Sequence, residues 1–103
     1  MYQYTTPTIT ITIPETLDVS EITALVVVLQ QGPRSLEKTL DDSNVQLDTE
    51  NNAITLTLTQ LETGAFEAGT VKIQCHILVG DTAYATNEMI APLFNNLHKG
   101  VIA

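Results

Sequence analysis

Two runs alternate strictly between a large aliphatic residue and threonine: Thr8-Ile9-Thr10-Ile11-Thr12-Ile13 and Ile54-Thr55-Leu56-Thr57-Leu58-Thr59. Successive side chains on a strand point to opposite faces, so each run predicts a strand with one buried and one wetted side. Threonine suits the wetted side because its branched Cβ fits the pleat while its hydroxyl keeps the surface polar. This patterning commits the chain to antiparallel sheet with one solvated face.

Turn signals divide the rest of the chain at the spacing of an all-β sandwich. A first strand, Thr8–Ile13, ends at Pro14, which cannot donate to a ladder. The second, Thr23–Gln30, is broken by Gly32-Pro33, and its apolar stretch Ala24–Leu29 predicts burial on both faces. The third runs from Ser35 to about Leu40, with Leu36 and Leu40 inward and Glu37 and Thr39 outward. Asp41-Asp42-Ser43-Asn44 makes a turn before a short fourth strand, Val45–Leu47. Asp48–Asn52 makes another before the fifth, Ala53–Thr59. In the sixth, Thr70–Val79, Val71, Ile73, Cys75, Ile77 and Val79 share one face, and Lys72, Gln74, His76 and Leu78 the other. A Gly80-Asp81 hairpin leads to the seventh, Thr82 to about Ala91, with a bulge near Asn87. Capping-box spacing gives a one-turn helix after Thr59 and a helical turn or plain loop at Asp18–Glu21. Asn95–Lys99 is a further helical turn, closed by Gly100.

These elements make one domain over 1–103, an immunoglobulin-like β-sandwich of about seven antiparallel strands, with an N-terminal arm at 1–7 and a C-terminal tail at 93–103. Glu67-Ala68-Gly69-Thr70-Val71 sits where such sandwiches carry an acid-x-Gly-x-Tyr corner, with Val71 in the tyrosine position and Ile73 in the cysteine position. The likeness at this corner is therefore architectural, without the hydroxyl latch or the inter-sheet disulfide.

Residue chemistry argues against most activities. Twelve acids against four bases give a net charge of −8, which repels phosphate backbones and argues against nucleic acid. No apolar stretch approaches the ~18 residues that span a membrane, and the start, Tyr2-Gln3-Tyr4-Thr5-Thr6-Pro7, has neither basic flank nor apolar signal core. No Asn-x-Ser/Thr acceptor occurs. Cys75 and His76 are adjacent on a strand and point to opposite faces, so they do not form a dyad; His98 is a distant alternative partner. Asp41, Asp42, Asn44, Asp48, Glu50 and Asn52 have the oxygens for calcium if their loops converge. An EF-hand from Asp48 fails, because Ala53 stands where the loop needs Gly and Thr59 where it needs Glu. Two histidines do not make a zinc site, and no phosphate loop or serine elbow is present. No cofactor is expected.

Tyr2 and Tyr4 precede the first strand, either covering the edge of the core or anchoring on a neighbouring subunit. Phe94, Leu97, Val101 and Ile102 place further apolar groups in the tail. These six are the candidate interface residues.

Several segments, in order, resemble a family of small structural proteins of phages and prophages of Gram-positive bacteria. They are Thr6-Pro7-Thr8-Ile9-Thr10-Ile11 with Pro14 and Asp18-Val19-Ser20; Gln30-Gln31-Gly32; and Leu36-Glu37-Lys38-Thr39-Leu40-Asp41-Asp42. Then come Leu56-Thr57-Leu58-Thr59-Gln60-Leu61-Glu62-Thr63, Ala68-Gly69-Thr70-Val71-Lys72-Ile73-Gln74, and the end Leu97-His98-Lys99-Gly100-Val101-Ile102. The pattern is also similar to the N-terminal immunoglobulin-like domain of phage upper-baseplate proteins. The resemblance implies a non-enzymatic virion component of tail or baseplate, with no catalytic residues, assembling with copies of itself or with other tail proteins through edge strands, arm and tail. The competing readings are an interaction module of a bacterial surface protein and a carbohydrate- or receptor-binding module of a phage adsorption device.

Overall fold

The two alternating runs pair with each other. In the computed structural model, which describes residues 1–102, β1 (Thr8–Thr12) runs antiparallel to β5 (Ala53–Thr57). Ile9 lies beside Leu56 and Ile11 beside Ile54, facing the core, while Thr8 and Thr10 lie beside Thr57 and Thr55 on the wetted side. The Thr8 and Thr57 hydroxyls are 3.0 Å apart, a cross-strand hydrogen bond on that outer face. β4 (Val45–Asp48) completes a three-stranded sheet in the order β1-β5-β4.

The second sheet is built on β2 (Ala24–Gln31) and β6 (Gly69–Val79), flanked by β3 (Arg34–Thr39) on one side and by β7 (Thr82–Ala85) and β8 (Met89–Leu93) on the other. The chain changes sheet between β1 and β2, between β3 and β4, and between β5 and β6. This is the connectivity of an immunoglobulin-like sandwich. Among the described residues no strand covers the free edge of β1. The first residues join the other sheet, through a parallel bridge between Tyr2 and Phe94.

The expected seventh strand is two, and β8 runs on to Leu93. His76 pairs Ala85 and Ile73 pairs Met89, so Thr86, Asn87 and Glu88 oppose only Gln74 and Cys75. That single extra residue is a β-bulge, placed where the sequence puts one. Thr86 pins it: its N–H donates to the Cys75 carbonyl (2.9 Å) and its hydroxyl accepts from the Cys75 N–H (3.0 Å). Pro92 lies within β8, on the sheet edge, where a missing donor does little harm.

The core is aliphatic. Val71, Ile73, Cys75 and Ile77 of β6 are buried against Leu25, Val27 and Leu29 of β2 and Ile11, Ile54 and Leu56 of the facing sheet. The turn after β5 is the expected helix α1 (Gln60–Gly64), with a complete capping box: the Thr59 hydroxyl accepts from the Glu62 N–H, and Glu62 accepts from the Thr59 N–H at 2.8 Å. Glu62 also forms an ion pair with Lys38 of β3. Lys38 pairs Val27 in register and so points inward, a charge that keeps the β3 edge from recruiting another strand.

Two further expectations change. Ala24–Leu29 is not buried on both faces: Val26 and Val28 are half-buried and Ala24 is exposed, because no layer covers the outer side of that sheet. No helix forms over Asn95–Lys99, because Asn96 and Lys99 bond the N-terminal segment instead. Of the two readings of Asp18–Glu21 the helical turn holds: Val19–Glu21 is a 3-10 turn, with Asp18 as its cap accepting from the Ser20 N–H.

Candidate functional site

The two ends of the chain are sewn together at one end of the sandwich. The Gln3 N–H donates to the Phe94 carbonyl (3.0 Å) and the Phe94 N–H to the Met1 carbonyl (2.8 Å). Gln3 is buried, and its side chain is the knot: Nε2 donates to the Phe66 carbonyl (2.7 Å), and Oε1 accepts from Lys99 Nζ (3.1 Å). Asn96 Nδ2 donates to the Gln3 carbonyl (3.3 Å). Farther along, the Gln60 amide holds the tail like a strand partner, donating to the Ile102 carbonyl (3.1 Å) and accepting from the Ile102 N–H (2.7 Å).

The bonds turn polar groups inward and leave apolar side chains outside. Tyr2 and Phe94 are about half exposed, with ring centroids 5.4 Å apart at a tilt of 45°. Leu97 is fully exposed, Ile102 largely so, and Val101 about half. Five of the six residues named from the sequence therefore present surface on the joined termini. Tyr4 differs: it is half-buried, and its ring lies against Gly64, where an added Cβ would fall 2.2 Å from the ring. Tyr4 holds left-handed backbone (φ 57°), an uncommon state for a bulky residue. It fastens the arm to α1. Ala103, the last residue of the expected tail, lies outside the described residues.

Gln3, Gln60, Asn96 and Lys99 were missed in the sequence. A polar residue between two tyrosines reads as surface, and only the meeting of both termini gives it partners.

Cys75 and His76 do not form a catalytic pair. Cys75 is buried in the core row, and burial pushes its thiol up to about 11, so at neutral pH it stays protonated. His76 points away from it, on the solvent side of β6. Iodoacetamide at pH 7.5 is expected to leave Cys75 unlabelled in the folded protein and to label it fully in urea. Fast native labelling would contradict the core placement.

Two carboxylates of the acidic turns, Asp42 and Asp48, are engaged within their own turns. Asp42 Oδ2 accepts from the Thr39 N–H (2.8 Å), and Asp48 Oδ2 accepts from Asn51 Nδ2 (2.8 Å). Hydrogen bonds from the Asn51 side chain and backbone hold Asp48 below the usual carboxylate value, and Ser20 does the same for Asp18. Among the described residues no group of three or more His, Cys, Asp or Glu is placed to hold a metal. No helix among them is long and apolar enough to cross a membrane.

No protein-family model and no curated protein matches this chain.

Proposed function

We propose that this protein is a non-enzymatic structural component of a phage or prophage particle, in the tail or baseplate, that acts by docking onto other tail proteins or copies of itself. The observation that carries the reading is the set of apolar side chains left exposed along the two hydrogen-bonded termini. Tyr2, Phe94, Leu97, Val101 and Ile102 stand exposed on termini whose backbone is hydrogen-bonded at Met1, Gln3, Phe94 and Ile102. Side chains presented on termini held in this way bind with less ordering of the chain, and aromatic anchors such as Tyr2 and Phe94 dominate interface energetics. Its place is the virion, reached from the cytoplasm of the producing cell.

The test is co-purification with the products of adjacent genes, comparing wild type with a Leu97→Ser, Val101→Ser, Ile102→Ser variant. The variant is expected to keep its melting temperature and to lose at least nine-tenths of the captured partner. Equal capture by both proteins, or none by either, counts against docking through the termini. The exposed Tyr2–Phe94 pair favours a second reading, a carbohydrate- or receptor-binding module of an adsorption device, since sugars stack on accessible rings. Binding on a glycan array that is lost in Tyr2→Ala would select it.

A further inference from the structure

The edges of the two sheets are not equally protected. β3 carries the inward Lys38, β4 and β7 are only 4 residues each, and the β7–β8 edge is broken by its bulge and by Pro92. Each of these devices hinders the addition of another strand. β1 has none of them. Thr8–Thr12 contains no charge, proline, glycine or bulge, and it is paired on one side only.

The ladder fixes which backbone groups are left over. The Leu58 N–H donates to the Pro7 carbonyl (3.0 Å), and the Ile13 N–H donates to the Asn52 carbonyl (3.1 Å). These bonds set the parity of the antiparallel pair, in which odd-numbered residues of β1 bond to β5 and even-numbered ones turn away. The N–H and C=O groups of Thr8, Thr10 and Thr12 therefore point out of the sheet edge. Beside them an open groove of about 610 Å³ separates β1 from Ala85 and Met89 of the other sheet, and Glu15 is the one charged residue that lines it.

Thr8-Ile9-Thr10-Ile11-Thr12 reads the same in both directions. Antiparallel pairing of this edge with itself, about a twofold at Thr10, sets Thr8 beside Thr12 of the second copy and Ile9 beside Ile11. Every outward N–H then meets an outward C=O. Threonine lies beside threonine on the wetted face, and isoleucine beside isoleucine on the core face, where Ile9 is still half-exposed. The pair of β1 with β5 already follows this matching, Thr with Thr and Ile with Leu or Ile. We infer that β1 pairs antiparallel with β1 of a second copy, joining the two three-stranded sheets into one continuous sheet.

An edge this short is smaller than a standard interface of about 800 Å² per partner, so the dimer is a weak one that forms at high protein concentration. The edge is distinct from the exposed residues of the joined termini, so the inference does not rest on the docking reading above.

Sedimentation equilibrium of the full chain is expected to show a dimer that tightens from low to moderate salt, as repulsion between two −8 copies is screened. Thr10→Pro removes an outward N–H and no bond to β5, a placement that edge strands tolerate. It is expected to weaken dimerisation at least tenfold with an unchanged circular dichroism spectrum. Thr10 lies beside its own copy on the twofold, so Thr10→Lys and Thr10→Glu each bring like charges together. Each is expected to weaken the dimer severalfold, although lysine lowers the net charge, and an equimolar mixture of the two is expected to restore it. The charge variants carry the test if the proline variant fails to fold. A wild type that stays monomeric up to about 1 mM overturns the inference. So does a dimer that survives the proline and charge variants but is lost in the Leu97→Ser, Val101→Ser, Ile102→Ser variant, which would assign self-association to the termini.

Discussion

Asn52→Ala is expected to lower the unfolding free energy by about 3 kcal/mol and the melting temperature by about 15 °C. Asn52 ends the turn between β4 and β5 in left-handed backbone, φ 48°. Its side chain reaches across to the segment that joins the sheets. Oδ1 accepts from the Val19 N–H (2.8 Å) and Nδ2 donates to the Leu17 carbonyl (2.8 Å). Val19 is fully buried, so alanine would leave its N–H without a partner and out of reach of water. Alanine also tolerates the left-handed state poorly, at a cost of about 1 kcal/mol. Asn52→Gly relieves the backbone and keeps the loss of bonds, so it is expected to recover about a third of the effect. Urea unfolding of the three proteins separates the terms, and equal stability of wild type and alanine variant would show that this clasp holds nothing.

Glu62→Ala is expected to cost a similar amount, about 3 kcal/mol, from two sources. It removes half of the capping box of α1, and it strands Lys38, whose side chain is 15% exposed and directed inward. Lys38→Met in the same background is expected to recover most of the second part, because a thioether fills that space without charge. Recovery of nothing would mean that the ion pair is decorative and the cap does the holding. The same carboxylate sets an acid limit. Burial would raise it, but Lys38 and the Thr59 N–H outweigh burial and hold it below the usual 4.5. Its stabilisation is therefore complete above the unfolded-state value and is lost as pH falls through the lower, folded one. Glu62→Gln keeps the side-chain length and is expected to flatten stability against pH below about 4.5.

Much of this was legible because alternation is local. Ile11 and Thr10 carry their destinations in their spacing, and so do Ile73 and Lys72. The bulge could be seen near Asn87, and the capping box at Thr59 could be read from three residues. What was missed depended on the global arrangement. Ala24–Leu29 reads as doubly buried whether or not a layer covers its second side, and composition does not say how many layers exist. Lys38 shares the inward parity of Leu36 and Leu40, but its partner lies on a turn 24 residues away. The helical reading of Asn95–Lys99 failed for the same reason: a segment that short has little helix stability of its own, and its side chains found the opposite terminus. Of the candidate site, the exposed apolar residues were legible, while the amides that position them were not.

The bridge between Tyr2 and Phe94 has a mechanical consequence. Both strands run in the same direction, so tension applied between the two chain ends would slide one along the other and load the bonds at Gln3, Phe94 and Met1 together. A hairpin pulled from its open end gives way one rung at a time; this arrangement resists as a unit. A domain stitched in that manner behaves as a stiff link under pull.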